Sequence, residues 1–252
     1  MRVMVWNVWW RFGGNWRRRE ESIRATLDAY RPDVLGLVES WSGEGTDQPH
    51  SLAAPCGMHA TFAPSPFPPQ LRYEEQPGIE FGVGLLSRWP FLAVEPHELT
   101  GAPGPVALLA TLDHPRGPLH VIVGTADGGP VQCRELAALA ADRRLDGPHP
   151  VLLLADLNAS VDCPALGPLL GVMADTWPLG GGDPGAVTFD SAMPYTPAAA
   201  DMPDLVDRRI DHVLARPGRP GAPLAVRGAF LAGDRPVGGV YPSDHYAVGV
   251  DL

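Results

Sequence analysis

Lysine is absent from the chain. All 19 basic side chains are arginine, set against 29 acidic ones, and the formal charge is -10. A protein that grips long nucleic acids gains affinity by neutralising phosphates with cationic side chains. A balance this acidic repels such a polymer unless its charge is strongly segregated. Cysteine is scarce as well. Cys56, Cys133 and Cys163 stand far apart, with neither metal-ligand spacing nor a disulfide framework. That usage is expected of a reducing, cytoplasmic setting. No run of about 18 apolar residues occurs, so no membrane-spanning helix is expected. The opening MRVMVWNVWW lacks the charged start, apolar stretch and cleavage site of a secretory signal, and no signal peptide is expected.

What is present is enough for a large core. Hydrophobic residues are 45% of the chain and charged residues 19%, which excludes disorder throughout. The 29 glycines and 29 prolines follow no three-residue period, so they belong to loops between apolar runs. Residues 2–8, 33–39, 81–86, 91–95, 106–112, 119–125, 151–155, 210–215, 224–230 and 246–251 read as strands. A short TFD strand is expected near residue 188. Ile23, Leu27 and Tyr30 at helical spacing predict a helix over 20–30, stopped by Pro32. Residues 131–145 form a second amphipathic stretch, and 164–172 is helix-like. The Pro- and Gly-rich span 42–80, with PSPFPP at 64–69, predicts a long irregular surface segment. The pattern implies an α/β fold of two sheets packed face to face with helices outside, in a single domain covering 1–252.

Polar residues interrupt the apolar runs at particular places. Asn7 ends the first strand and Glu39 the second. Asp156 and Asn158 follow VLLLA and point to one side if the chain stays extended. Asp211 interrupts RRIDHVLA, and Ser243, Asp244 and His245 precede the last strand. Carboxylates and amides are costly to bury without partners, so their recurrence at core strand ends points to one shared polar site. Hard oxygen donors of this kind suit Mg2+ or Mn2+.

Singly, each of these residues has a plainer reading. Asn7 is a common turn residue, Asp156-x-Asn158 suits an Asx turn, and Asp211 could pair with Arg208 or Arg209. Arg17, Arg18 and Arg19 read first as a solvated start to the helix and second as an anion-steering patch. Trp6, Trp9, Trp10, Trp16 and Trp41 read as core and site wall. The remaining histidines show no metal spacing. His212 is expected on the face of its strand opposite Asp211.

Taken together, Asn7 in VMVWNV, Glu39 in DVLGLVES, FGVGLLSRWP at 81–90, Asp156 and Asn158 in LLLADLNA, Asp211 in RRIDHVLA and Ser243-Asp244-His245 in YPSDHYAV resemble the endonuclease/exonuclease/phosphatase family of metal-dependent phosphoesterases. The resemblance implies a four-layer α/β sandwich of two packed mixed β-sheets flanked by helices. By the same resemblance Glu39, Asn7 and Asp244 are metal-site residues for Mg2+ or Mn2+. Asp156 orients or deprotonates the attacking water, and Asn158 holds that water or a phosphate oxygen. His245 faces the phosphorus centre, with Asp211 orienting its ring. The implied reaction is hydrolysis of a phosphomonoester or phosphodiester by in-line water attack.

One departure stands out. Where the family carries a phosphate-contacting His, or Tyr in its DNA-repair branch, this chain has Ala126 followed by Asp127. Val83 stands where Asn is common in relatives. Arg17, Arg18, Arg19 and Arg134 are the candidate substitute donors. The acidic charge favours a small or lipid-like phosphorylated substrate over duplex DNA, leaving nucleic acid as the less favoured partner. The rival readings are an endonuclease, the same fold turned to another reaction in a specialised biosynthetic pathway, and a binding protein without catalysis.

Overall fold

In a computed structural model the described residues are 1–13, 15–65, 76–101 and 104–252. The strand β1 (Arg2–Asn7), helix α1 (Trp16–Tyr30) and strand β2 (Val34–Gly43) form the first strand–helix–strand unit. β1 and β2 pair in parallel, as a helical crossover requires. Arg31 closes α1 in a left-handed conformation, its N–H bonded to Leu27 O at 2.8 Å, and Pro32 prevents continuation. α1 begins at Trp16, so Glu20 and Glu21 lie beyond its first turn. The chain continues through β3 (Thr46–Asp47), α2 (Gln48–Cys56), β4 (His59–Pro64) and β5 (Glu80–Ser87). These complete a seven-stranded sheet in the order β12-β13-β1-β2-β5-β4, with β3 on β2; β12 is Gly228–Ala232 and β13 is Ala247–Asp251.

The second sheet holds β6 (Phe91–Glu98), β7 (Val106–Leu112), β8 (Leu119–Thr125), β9 (Val151–Asp156), β10 (Ala174–Asp175) and β11 (Asp211–Arg216), in the order β10-β11-β9-β8-β7-β6. α3 (Pro130–Ala141) is the crossover between β8 and β9, the parallel pair of this sheet. Two short helices follow, α4 (Gly167–Leu170) and α5 (Thr176–Leu179).

Strand alternation builds the layers. Val3, Val5, Val34, Leu108, Val121, Val123, Leu152, Leu154 and Val248 meet between the sheets. Met4, Trp6, Leu35 and Leu37 face outward onto Ile23 and Leu27 of α1 and Leu52 and Ala53 of α2. Leu109, Ile122, Leu153 and Ala155 face Cys133 and Leu136 of α3 and Leu166 and Leu169 beyond. The result is the expected four-layer arrangement of two mixed sheets with helices outside. Each fully buried aliphatic side chain stabilises it by about 1.5–3 kcal/mol. The sheets approach closely at Gly36, where a Cβ would sit 2.9 Å from Leu154 Cβ and 3.2 Å from Val123 Cγ1.

Several local expectations change. The span 42–80, expected to be irregular, contains the end of β2, α2 and β4. Asp47 caps α2 by accepting from the His50 N–H at 2.8 Å, and Pro49 sits in the first turn where its missing N–H is harmless. Residues 66–75, most of the proline-dense tract, lie outside the described residues. The 164–172 stretch divides into a 3-10 turn and α4. The TFD strand reduces to one bridge, Phe189 with Arg208. All three cysteines are free. Among the described residues no helix is long and apolar enough to cross a membrane.

Candidate active site

Both strand–helix–strand units deliver polar residues to one end of the sandwich, the carboxyl ends of β1, β2 and β9. β13 and β11 run antiparallel to β1 and β9, so their amino ends meet there too. Alternation sets which way each side chain faces. Asn7 shares parity with Val3 and Val5, Asp156 with Leu152 and Leu154, and Asp211 with Val213 and Ala215, all of them inter-sheet residues. Asp156 and Asp211 are direct cross-strand partners.

Glu39 breaks this rule. It has the parity of Leu35 and Leu37, which face the helices. The register of β2 on β5 slips between Leu37 and Ser40, and Glu39 adopts φ +54°. That bulge holds a side-chain-bearing residue in left-handed backbone and re-aims it. Its carboxylate then has Asn7, Asp156, Asp244 and His245 as electrostatic neighbours.

A hydrogen-bond network joins the strands. Asn7 Nδ2 donates to Asp156 Oδ2 at 2.9 Å, and Asn7 Oδ1 accepts from the Trp9 N–H at 2.9 Å. Ser243 Oγ donates to Asn7 O at 2.7 Å and accepts from the His245 N–H at 3.2 Å. His245 Nδ1 and Asp211 Oδ2 are 2.8 Å apart, both residues buried. The backbone of Asp211 is fixed by Thr188 Oγ1, which accepts from the N–H groups of Ile210 and Asp211. The Phe189 ring lies 4.6 Å from the His245 ring. The TFD segment reads in sequence only as a short strand, and nothing in it marks Thr188 and Phe189 as supports of the site.

Asn158 departs from the extended geometry expected for it. The strand ends at Asp156, and Asn158 turns back at φ +47°. Its N–H donates to Asp156 Oδ1 at 3.0 Å, an Asx turn, and its Nδ2 donates to Ala126 O at 2.8 Å. Asn158 therefore fastens the end of β8 to the Asp156 turn. Ala126 itself is buried among apolar residues of the outer layer beside α3. Asp127 is exposed, its Oδ1 accepting from the Gly129 N–H at 2.8 Å. Val83 is sealed in the inter-sheet core.

The arginine triplet separates. Arg17 and Arg18 are exposed on α1, and Arg134 is exposed on α3. Arg19 is 1% exposed and is no part of a solvated face. Its neighbours include Asp244 and Glu39. As expected, His212 lies away from the cluster, its Nε2 2.8 Å from Ala159 O and its Nδ1 2.8 Å from Arg209. Arg209 pairs with Asp175 at 2.6 Å, so it is not a partner for Asp211.

The electrostatics follow from crowding. Burial first, then the charges of Asp244 and Asp156, push Glu39 up to about 8; His245 and Asn7 pull it back. Burial and then Asp211 push Asp156 up to about 7. Burial also raises Asp244, against the pull of His245 and Arg19. For His245, burial alone would lower the pKa. The Asp211 charge and hydrogen bond, then Asp244 and Asp156, hold it well above its ordinary value. The ring is thus an imidazolium near neutrality.

Four carboxylates, Glu39, Asp156, Asp211 and Asp244, therefore face two cations, His245 and Arg19. With all four ionised the site would lack two positive charges, a deficit met by protons on Glu39 and Asp156 in the metal-free protein and equal in size to one divalent cation. Asp156, Asp211 and His245 each offer a possible ligand atom within 4.8 Å of one another. An imidazolium cannot ligate a metal through its protonated nitrogens, however, so this trio is not a complete ligand set. Glu39 is also raised by the Asp244 charge and hydrogen-bonded by Asn7, so these three groups share one corner of the site. This oxygen-rich donor set fits a hard cation.

The chain belongs to the Endonuclease/Exonuclease/phosphatase family, whose model matches residues 4–245. Among solved structures, it is similar to an endonuclease/exonuclease/phosphatase family protein from Leptotrichia buccalis, with 13% identity, 100% of this chain and 98% of that one covered, and a TM-score of 0.73. An endonuclease/exonuclease/phosphatase from Beutenbergia cavernae aligns with 26% identity over 99% of this chain and 70% of that one, TM-score 0.69. D. rerio TDP2, solved with a single-strand DNA product, aligns with 17% identity over 99% and 97% of the two chains, TM-score 0.72. No curated protein matches the chain in sequence.

Proposed function

We propose that this protein is a divalent-metal-dependent phosphoesterase that hydrolyses a phosphomonoester or phosphodiester by in-line attack of water. The observation that carries the reading is the charge deficit: four carboxylates set against His245 and Arg19 at the point where the two sheets' loops converge. Glu39, Asn7 and Asp244 would hold Mg2+ or Mn2+. Bound there, the cation would neutralise charge on a non-bridging phosphoryl oxygen.

The chain's own groups supply the rest. His245 presents a positive N–H toward the opposite side of the phosphoryl group, with its other nitrogen held by Asp211, so its orientation costs nothing at the moment of reaction. Asp156, pushed up to about 7, is poised to accept a proton from water near neutral pH. Asn7 and the Asn158 N–H hold that carboxylate still. Asn158 keeps one amide hydrogen beyond its bond to Ala126 O for the water or a phosphate oxygen.

Two features favour a small or lipid-like substrate. The net charge is -10. The rings of Trp9 and Tyr195 also stack, centroids 5.1 Å apart and planes 26° apart. Trp9 is bonded to Asn7, and the Tyr195 loop starts at Phe189 against His245. The loops flanking the site therefore meet, which sets apolar ring surface beside the polar cluster for an apolar substituent of the substrate. A single nucleic-acid strand, the form bound in TDP2, is the less favoured substrate.

A second reading rests on Ala126. Losing a donor to the phosphate costs roughly a hundred- to a thousandfold in rate, so the fold could serve different chemistry. One experiment addresses both. Turnover of p-nitrophenyl phosphate, bis-p-nitrophenyl phosphate and plasmid DNA is measured with Mg2+ or Mn2+, in wild type, Glu39→Ala and Ala126→His. The expected result is turnover of a small ester, lost in Glu39→Ala; because Ala126 packs against the α3 layer, a His there is expected to give no gain. No turnover in any form, or turnover indifferent to Glu39, refutes the hydrolase. Turnover of all three esters that stays slow in wild type supports the second reading, and a rate gain in Ala126→His would show that position 126 reaches the phosphate after all.

A further inference from the structure

The Arg19 side chain leaves α1 and enters a cup of main-chain carbonyls. Its Nη1 donates to Val8 O at 2.9 Å and Pro242 O at 3.2 Å. Its Nη2 shares two hydrogens among Trp9 O at 3.1 Å, Trp10 O at 2.9 Å and Phe12 O at 2.9 Å, while its Nε makes no hydrogen bond. The guanidinium also lies 4.7 Å from the centre of the Trp9 ring. Five acceptors on one buried fork is an unusual expenditure of carbonyls on one side chain, because most backbone acceptors are satisfied within helices and sheets.

The cup explains local strain. Trp9 and Trp10 have φ +58° and +34°, conformations unfavourable for bulky residues. These φ values turn the loop after β1 so that its carbonyls converge on one point. Convergent carbonyl dipoles repel one another unless a cation lies among them, and Arg19 is that cation. The loop is wound around the guanidinium.

The five carbonyls come from two segments. Four belong to residues 8–12, immediately after Asn7. The fifth belongs to Pro242, immediately before Ser243, Asp244 and His245. The same helix reaches that second segment twice more, through Ser22 Oγ to Val237 O and Arg18 Nη2 to Gly238 O. Ser243 Oγ in turn donates to Asn7 O.

We infer that Arg19 is a positioning residue, a planar clasp that sets the Asn7 loop and the Ser243–His245 loop at one fixed separation. This inference rests on the reading of Asn7, Asp244 and His245 as site residues. Charge alone does not do it: an ammonium has the charge but lacks the flat fork that reaches five acceptors on two segments. Removing the guanidinium leaves a carbonyl-lined space of its own shape.

The test uses the full chain with Arg19→Lys and Arg19→Ala, folding checked by circular dichroism. Mn2+ affinity is read by calorimetry, and the His245 Nδ1 proton by its downfield NMR resonance. Loss of an orienting partner behind a metal site weakens affinity about 10- to 100-fold. That loss is expected in both variants, with the His245 resonance shifted or broadened. Guanidinium at tens of millimolar restores Arg19→Ala, and ammonium does not. Variants that lose thermal stability but keep Mn2+ affinity within threefold and an unmoved resonance overturn the inference, as does equal rescue by ammonium. If Arg19→Ala does not fold, Arg19→Lys decides by the same readouts. If wild type binds no Mn2+, the metal reading fails, and the clasp stands or falls on the His245 resonance and its selective rescue.

Discussion

The two ends of the strands treat a buried histidine in opposite ways. At the carboxyl ends of β1, β2 and β9, His245 meets Asp211 at 2.8 Å and is held well above its ordinary pKa. At the far end, His149 leads into β9 with its Nε2 unpartnered, the His114 ring 4.1 Å away and no carboxylate among the groups acting on it. Burial first, then His114 and Arg116, lowers it to about 4. Both residues are 5% exposed. Burial is therefore not what makes His245 a cation; the partner is. A fold gains an imidazolium only where it also places an acid, and β9 with its neighbour β11 does so at one end alone.

Removing the partner should erase the difference. Asp211→Asn keeps the shape and a hydrogen-bonding atom while removing the charge. Burial then dominates, and His245 is expected to become neutral at pH 7, in the direction of His149. Phosphoesterase turnover should fall about a thousandfold or more, the scale on which an orienting carboxylate matters to a histidine in other hydrolases. NMR titration of the ring gives the protonation state separately from the rate. A His245 that stays charged in this variant would mean that Asp244 and Asp156 suffice without Asp211.

The comparison also shows which parts of the molecule can be read from residues in order. Strand alternation correctly faces Asn7, Asp156 and Asp211 inward, because each continues the parity of apolar residues before it. The layers follow from the same two-residue period. β2 runs on to Gly43, so Glu39 lies inside the strand and not at its end; it is also on the wrong parity, and only the bulge at φ +54° brings it round, with no glycine at that point of β2 to mark it. Arg19 looks like a surface residue because its partners are carbonyls, which every sequence has and none displays. α2 carried readable signals, Asp47 as cap, Pro49 in the first turn and Gly57 as stop, but the surrounding proline and glycine outweighed them. Asn158 failed for the converse reason. A two-residue spacing was carried past the point where β9 ends.

The carboxylates at the site end make a second contrast, in the pH dependence of the metal-free protein. Unfolded, Glu39 and Asp156 ionise near 4; folded, they hold protons to about 8 and about 7. The folded state binds more protons across that window, so their contribution is fully present below about pH 4 and is lost as pH rises through 7 to 8. His245, raised above its unfolded value, adds to the same trend: its contribution is fully present below about pH 6.5 and is lost progressively as pH rises toward its folded value. In EDTA the melting temperature should therefore fall, by an amount on the order of 5 °C, between about pH 6 and about pH 8.5. A divalent cation takes the place of the protons, so the gap between Mn2+ and EDTA should widen over the same range. Glu39→Gln should flatten the EDTA slope and close much of the gap. A gap constant with pH would separate cation binding from these carboxylates.

The smallest effect belongs to the far end, with the opposite sign. His149 stays neutral when folded, but an unfolded histidine takes up a proton below about pH 6.5. Stability is therefore lost as pH falls from about 6.5 toward 4, and nothing is contributed above that range. His149→Phe removes the titrating group from an aromatic setting where His114 already stacks edge-on against Trp89 at 4.4 Å. It should raise the melting temperature by a few degrees at about pH 5, leave it unchanged near pH 7.5, and alter phosphoesterase turnover less than about twofold. Equal shifts at both pH values would assign the change to packing. A large loss of turnover would mean that the two ends of the sandwich are coupled through β9, and that His149 helps to hold the strand on which Asp156 sits.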